Sequence, residues 1–259
     1  MRSPATKHAS IRRYYAALYR AWGPQHWWPA ESPFEVIAGA YLTQNTAWTN
    51  VERALSNLRN AHALCVEGIR NIRLSKLERL IHPAGYFRQK ARRLKTFVGF
   101  LDKTYNGSLE DLLSQPAAKL REELLSLNGI GPETADSILL YAANHPVFVV
   151  DTYTRRLLER HQILPANTDY EEIRQFFERS LAPIAEEQHD HPSPLAVRVA
   201  TIRGATHPPS AMSTARRTAV AQVYNEMHGL IVGVGKNYCE KSLPKCDECP
   251  LQRFLPRVK

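Results

Sequence analysis

One carboxylate stands apart in this chain. The apolar segment from Pro146 to Val150 delivers Asp151 to the start of the helical run TYTRRLLER. An Asp there caps a helix by accepting backbone N–H bonds. The same fixed, ionised group can stabilise a developing cation or activate a water. Some twenty residues earlier, Asn128-Gly129-Ile130-Gly131 forms a tight turn between two helical runs, and Pro132 opens the second. Proline at a first helical position costs nothing, because the N–H it lacks would have no helical partner. The glycines permit positive φ and close backbone approach. With the following helix N-terminus they make a ready phosphate site. The two features together pair a candidate phosphate grip with a carboxylate fixed by its own helix.

Two other groupings could do chemistry. Cys239, Cys246 and Cys249 have metal-ligand spacing, and the chain's fourth cysteine, Cys65, lies far off in sequence. All four tryptophans, Trp22, Trp27, Trp28 and Trp48, fall in the first fifty positions. Trp27-Trp28-Pro29 sits at an element boundary. Stacked indoles there would be either core or a seat for a flat, especially cationic, ligand.

The elements that position these groups read as short amphipathic helices, with apolar spacing of three and four over 34–42, 48–58, 75–82, 88–103, 109–114, 117–127 and 219–232. The one strand-like run, Val147 to Val150, has four residues, and no alternating pattern is sustained. The expected fold class is all-α. The expected division is a helical domain over 34–145 holding the hairpin at 119–144, and a second lobe of 1–33 plus 146–259. Residues 186–218, rich in Pro, Ser, Thr, Ala and His, read as a surface loop.

The 259 residues carry 34 Lys+Arg against 25 Asp+Glu, a net charge of +9. That excess makes nucleic acid the leading partner class. The excess is uneven: residues 132–185, around Asp151, hold five cations against eight anions. The densest run is Arg88, Lys90, Arg92, Arg93 and Lys95. On a helix, Arg88, Arg92 and Lys95 share a face that could track phosphates or simply meet solvent. No stretch approaches the 18 apolar residues of a membrane span, and the first twenty residues lack a signal-peptide core. The expectation is a monomeric cytoplasmic protein.

LNGIGPETADSILL followed by VFVVDTYTRRLL resembles the helix-hairpin-helix–Gly/Pro–Asp superfamily of DNA glycosylases, to which endonuclease III belongs. The resemblance implies a two-lobed helical fold acting on double-stranded DNA with damaged bases. The hairpin residues Gly129, Ile130 and Gly131 would hold the DNA backbone, Asp151 would serve the glycosidic bond of a flipped base, and Gln44 would fill the gap that base leaves. Bifunctional members carry a catalytic lysine two residues after the second hairpin glycine. Glu133 occupies that position here. A carboxylate forms no Schiff base, so the resemblance implies a monofunctional glycosylase.

WWPAESPFEVIAGAYLTQNTAWTNV is more similar to a bacterial branch of monofunctional 3-methyladenine DNA glycosylases. In that branch the positions of Trp27, Trp28, Pro29, Trp48 and Lys236 line the base pocket, which implies an N-alkylated purine substrate. Two alternatives stand beside it: an endonuclease III-like glycosylase/AP lyase on oxidised pyrimidines, and a non-catalytic module that binds damaged DNA. The cysteines match three ligands of the family's 4Fe-4S loop over 239–255, with Leu255 at the fourth position. Three readings follow: a cluster with one exogenous or unusual ligand, a zinc site completed by His or Asp, or a loop without metal.

Overall fold

The computed structural model describes residues 3–190 and 208–256. The chain divides into two compact units, one of Met1–Pro29 with Pro146–Lys259 and the other of Ala30–His145. The described residues contain helices and turns but no strand. In chain order the α-helices are α1 (Pro4–Trp22), α2 (Pro33–Leu42), α3 (Trp48–Asn60), α4 (Val66–Asn71), α5 (Leu74–Leu80) and α6 (Phe87–Tyr105). They continue with α7 (Leu109–Leu113), α8 (Ala117–Ser126), α9 (Pro132–Tyr141), α10 (Thr152–Arg160), α11 (Tyr170–Asp190) and α12 (Ala219–Asn237). No described helix is long and apolar enough to cross a membrane.

In the 30–145 unit, α2 is the hub. Ser32 caps it by accepting from the Glu35 N–H, and Pro33 takes its first position. Val36, Ile37, Ala38, Ala40, Tyr41 and Leu42 are all buried. A helix apolar all round belongs in the middle of its unit, and α2 packs against α3, α6 and α9. The hairpin pair α8 and α9 is clamped by a two-pronged ion pair: Arg121 Nε lies 2.7 Å from Asp136 Oδ1, and Nη2 lies 3.2 Å from Oδ2. Asp136 is fully buried, so the fork also satisfies a carboxylate that would otherwise be costly to bury.

In the other unit, α12 has the central place and packs against α1, α10 and α11. Its residues from Tyr224 to Gly235 are buried. The segment Gly23–Pro29 crosses α12 at Gly229, where a Cβ would meet Cβ of Gln25 and of Trp27 at 3.0 Å each. The apolar run 147–150 is buried but extended without a strand partner.

The segment expected as a loop over 186–218 departs from that reading at both ends. Helix α11 continues to Asp190. Past the undescribed residues 191–207, a turn is closed by Ser210 and Ser213, and Met212 and Ser213 are buried. Ser hydroxyls bonding nearby backbone groups build this ordered turn from residues whose composition reads as loose. The middle of the expected loop lies outside the described residues.

Candidate functional site

Asp151 caps α10. Its Oδ1 accepts from the Thr154 N–H at 2.7 Å and from the Thr154 hydroxyl at 2.9 Å. Its Oδ2 lies 3.5 Å from Nε2 of His228, a buried residue of α12. Burial pushes the Asp151 pKa up, but the bond and charge of His228 and the two Thr154 bonds outweigh it. The carboxyl is held below its ordinary value. The two oxygens therefore have different neighbours: Oδ1 is occupied by the cap, and Oδ2 is turned to His228.

The His228 ring is walled by aromatics, Phe148 edge-on at 6.4 Å and Trp27 edge-on at 6.3 Å between centroids. Trp27 and Trp28 meet edge to face at 5.8 Å, and both are buried. Lys236 Nζ sits 5.7 Å from the Trp27 ring centroid, a cation–π contact. The strap that carries the two tryptophans is anchored to α12 through its backbone. The Gln25 N–H donates to Glu226 Oε2 at 2.8 Å. Burial raises the Glu226 pKa to about 7, against the opposing bonds from Gln25 and Gln222 and the charge of Arg217. Within this unit, Asp151, His228, Trp27, Trp28 and Lys236 form one connected neighbourhood, and Pro29 ends the strap.

The 30–145 unit carries the other site residues. Gly129 has φ +87°, which favours glycine, and a Cβ there would fall 2.0 Å from Arg93 Nε and displace that side chain. Gly131 differs from the sequence expectation: its φ is −99° and the space around it is open. Only one of the two glycines uses the left-handed region. Ile130 is buried, and its N–H donates to Leu127 O at 3.1 Å to close the turn. Gln44 lies against this turn, its Nε2 donating to Gly129 O at 2.9 Å and to Thr134 Oγ1 at 3.0 Å. Glu133 is exposed in the first turn of α9, where its charge suits the helix dipole. Trp48 starts α3, half-buried, with its indole N–H on Glu52 Oε1 at 2.7 Å.

The expected phosphate track does not form as one row. Arg88 and Arg92 are exposed. Lys95 instead turns inward and donates to Arg70 O at 3.0 Å and Ile72 O at 2.6 Å. Those carbonyls end α4 and need donors, which Lys95 supplies. Lys90 is buried and spends its three N–H groups on Leu42 O, Gln44 O and Ala84 O at 2.8–2.9 Å. Burial and the neighbouring Arg93 lower its pKa to about 8. Sequence reasoning did not single out Arg93, His228, Thr154 or Glu226. A helical spacing of three from Lys90 to Arg93 was the available signal for the first.

Cys239, Cys246 and Cys249 line a small, solvent-open pocket together with Leu255. Arg160 Nη1 donates to Cys239 Sγ at 3.2 Å, and its Nη2 reaches Lys241 O at 3.1 Å, fastening the loop to α10. Among the described residues no three His, Cys, Asp or Glu side chains are grouped to hold a metal ion, so the zinc reading finds no ligand set. For a 4Fe-4S cluster the three cysteines line one pocket without being gathered into a ligand group, and Leu255 brings no donor at the fourth position. The donor set does not complete that site, and no step of the chemistry runs through it. Cys65 is exposed in the other unit.

Residues 38–183 match the HhH-GPD superfamily of base excision DNA repair proteins. A Methanocaldococcus jannaschii protein named as a DNA repair glycosylase is 38% identical over 250 residues, 96% of each chain. The H. pylori 3-methyladenine DNA glycosylase, solved with 1,N6-ethenoadenine, shares 31% identity and a TM-score of 0.67 over 89% of this chain and 97% of that one. Endonuclease III in a trapped covalent complex with DNA shares the fold at a TM-score of 0.70, with 20% identity over 98% of this chain and 96% of that one. On the family match and on the extent of the M. jannaschii similarity, the chain belongs to the HhH-GPD superfamily of base excision DNA repair glycosylases.

Proposed function

We propose that this glycosylase is monofunctional and releases N-alkylated purines such as 3-methyladenine from double-stranded DNA. The observation that carries the reading is the neighbourhood of Asp151: a carboxylate held below its ordinary pKa, linked through His228 to Trp27, whose ring lies against the ammonium of Lys236. An N-alkylated purine is a cation with a weakened glycosidic bond. An aromatic seat favours such a base, and one fixed anion suffices for a sugar that turns electron-poor as the bond breaks. The purine leaves with the bonding electron pair and becomes neutral. Asp151, whose Oδ2 is not engaged by the cap, stabilises the positive sugar carbon; water adds to that carbon and loses its proton to solvent, leaving an abasic sugar. The low pKa of Asp151 makes it a weak base, so its part is electrostatic first. The similarity to an enzyme named for 3-methyladenine supports the substrate class.

The lyase alternative requires an amine where Glu133 stands. Purified protein is to be incubated with duplexes carrying alkylated purines and oxidised pyrimidines, and base release and strand cleavage scored separately. Release of alkylpurine without cleavage, and no borohydride-trapped adduct, is the expected outcome. A trapped adduct, or release confined to oxidised pyrimidines, would reverse the assignment. Retention of lesion binding with no release of any base would point to the damaged-DNA-binding module. The cofactor follows separately: iron and sulfide counts on anaerobically isolated protein test whether the three thiols hold a cluster with an outside fourth ligand. Cys246→Ser is the control.

A further inference from the structure

We infer that Arg93 is a positioning residue that couples Gln44 to the hairpin, so that the gap-filling side chain and the phosphate grip act as one body. The inference rests on the reading of Gln44 as the residue that refills the stack.

Three observations carry it. Arg93 Nη1 donates to Gln44 Oε1 at 2.8 Å, while Gln44 Nε2 spends its two hydrogens on Gly129 O and Thr134 Oγ1. The amide therefore bridges α6 to both sides of the hairpin turn. Arg93 also lies directly under Gly129: a Cβ at that glycine would sit 2.0 Å from Nε and 2.4 Å from Cδ. Finally, one turn earlier on α6, Lys90 fixes the backbone of the same residue through Gln44 O at 2.8 Å, and also holds Ala84 O. Side chain and main chain of Gln44 are thus pinned from one helix face.

A packing role alone would not need a guanidinium. An aliphatic chain fills space beneath a glycine without burying charge, whereas Arg93 Nε is buried with no hydrogen-bond partner. Among the described residues neither Arg93 nor Lys90 bonds a carboxylate; their acceptors are amide oxygens. Two neighbouring cations without an anion carry a standing electrostatic cost. The return is orientation: Arg93 fixes which way the Gln44 amide faces, so that its NH2 end meets the hairpin. Without the guanidinium, Oε1 loses its donor and only the two Nε2 bonds to the hairpin hold the Gln44 amide.

The test uses the full-length protein and a duplex with a tetrahydrofuran abasic site flanked by 2-aminopurine, which reports refilling of the stack whatever lesion is preferred. Gln44→Ala is expected to abolish the fluorescence change on saturation. Arg93→Met should reduce it to the same level and raise the dissociation constant about tenfold, the worth of one hydrogen bond to a charged group. Arg93→Met/Gln44→Ala should be no worse than Gln44→Ala, since the two act as a unit. Arg93→Lys, which keeps charge but loses the fork, should restore part of the signal, and its thermal midpoint separates loss of coupling from loss of fold. The slope of log binding against log salt should match wild type in all variants. A slope lower by about one in Arg93→Met would make Arg93 a direct phosphate contact and overturn the proposal. A normal fluorescence change in Arg93→Met, with Gln44→Ala defective, sinks the coupling alone. A normal signal in Gln44→Ala removes the reading of Gln44 and the coupling with it.

Discussion

Asp151 and Gln44 are held by opposite kinds of neighbours. In the unit built around α12, an anion is fixed by a cap hydroxyl, a backbone N–H and a histidine walled by aromatic rings. In the unit built around α2, a neutral amide is fixed by a guanidinium, a hydroxyl and a carbonyl, with a buried ammonium behind it. The first arrangement favours the ionised carboxylate, which would suit the proposed role beside an electron-poor sugar. The second makes backbone geometry rigid and leaves positive charge uncompensated, as polyanion binding requires. If Asp151 serves the chemistry and Gln44 the grip, as proposed, substitutions in the two units should fail in different ways.

The strongest break of that contrast is Asp151→Asn. It is expected to lower single-turnover base release about a thousandfold, the scale of losing a main electrostatic stabiliser, with duplex affinity within about twofold of wild type. An equal loss of affinity would mean that the carboxylate serves binding. Gly129→Ala should do the reverse. Its methyl meets Arg93 and its φ is positive, so hairpin function should drop by about 2–3 kcal/mol, read as a weaker dissociation constant at an unchanged bound-state rate. Gly131→Ala, in open space at negative φ, should stay near wild type. If the two alanine variants behave alike, the steric account of the turn is wrong.

A third measurement addresses the strap. Glu226 titrates at about 7 when folded and at 4.5 ordinarily, so the folded protein holds its proton more tightly. The resulting stability is full below pH 4.5 and lost as pH rises through 7. Thermal midpoints should fall across that window by the equivalent of about 3 kcal/mol, and Glu226→Gln should flatten the profile. Identical profiles would show that Glu226 does not govern it. The smallest effect separates two neighbours on α6. Arg92→Ala, on the exposed face, should reduce the salt slope of DNA binding by about one. Lys95→Met should leave that slope unchanged and cost about 1 kcal/mol of stability through the uncapped carbonyls of α4.

Much of this architecture was legible in the residues. Pro132 after the Gly129–Gly131 turn marked the start of α9, and Asp151 marked the cap of α10, because both signals are local and steric. The hairpin glycines were distinguished only by the folded backbone, since φ at Gly131 depends on how α8 and α9 are clamped. The cation run on α6 was the clearest misreading. Lys95 and Arg92 look alike in sequence, yet one turns inward to cap carbonyls that belong to a different helix. His228 sat unmarked for a related reason. Its partner Asp151 is 77 positions away, and no periodicity within α12 announces a contact made by tertiary packing.

Gly229 has a consequence for how this protein can diverge. With Cβ atoms of Gln25 and Trp27 lying 3.0 Å from where its own Cβ would be, the strap and α12 cannot drift independently. A larger residue at 229 would lift the tryptophans away from His228 unless the strap changed in the same step. Lineages that keep the aromatic pair are therefore expected to keep glycine opposite it. A substitution at Trp27 or Trp28 should appear together with a change at position 229, a paired substitution that a survey of relatives would detect.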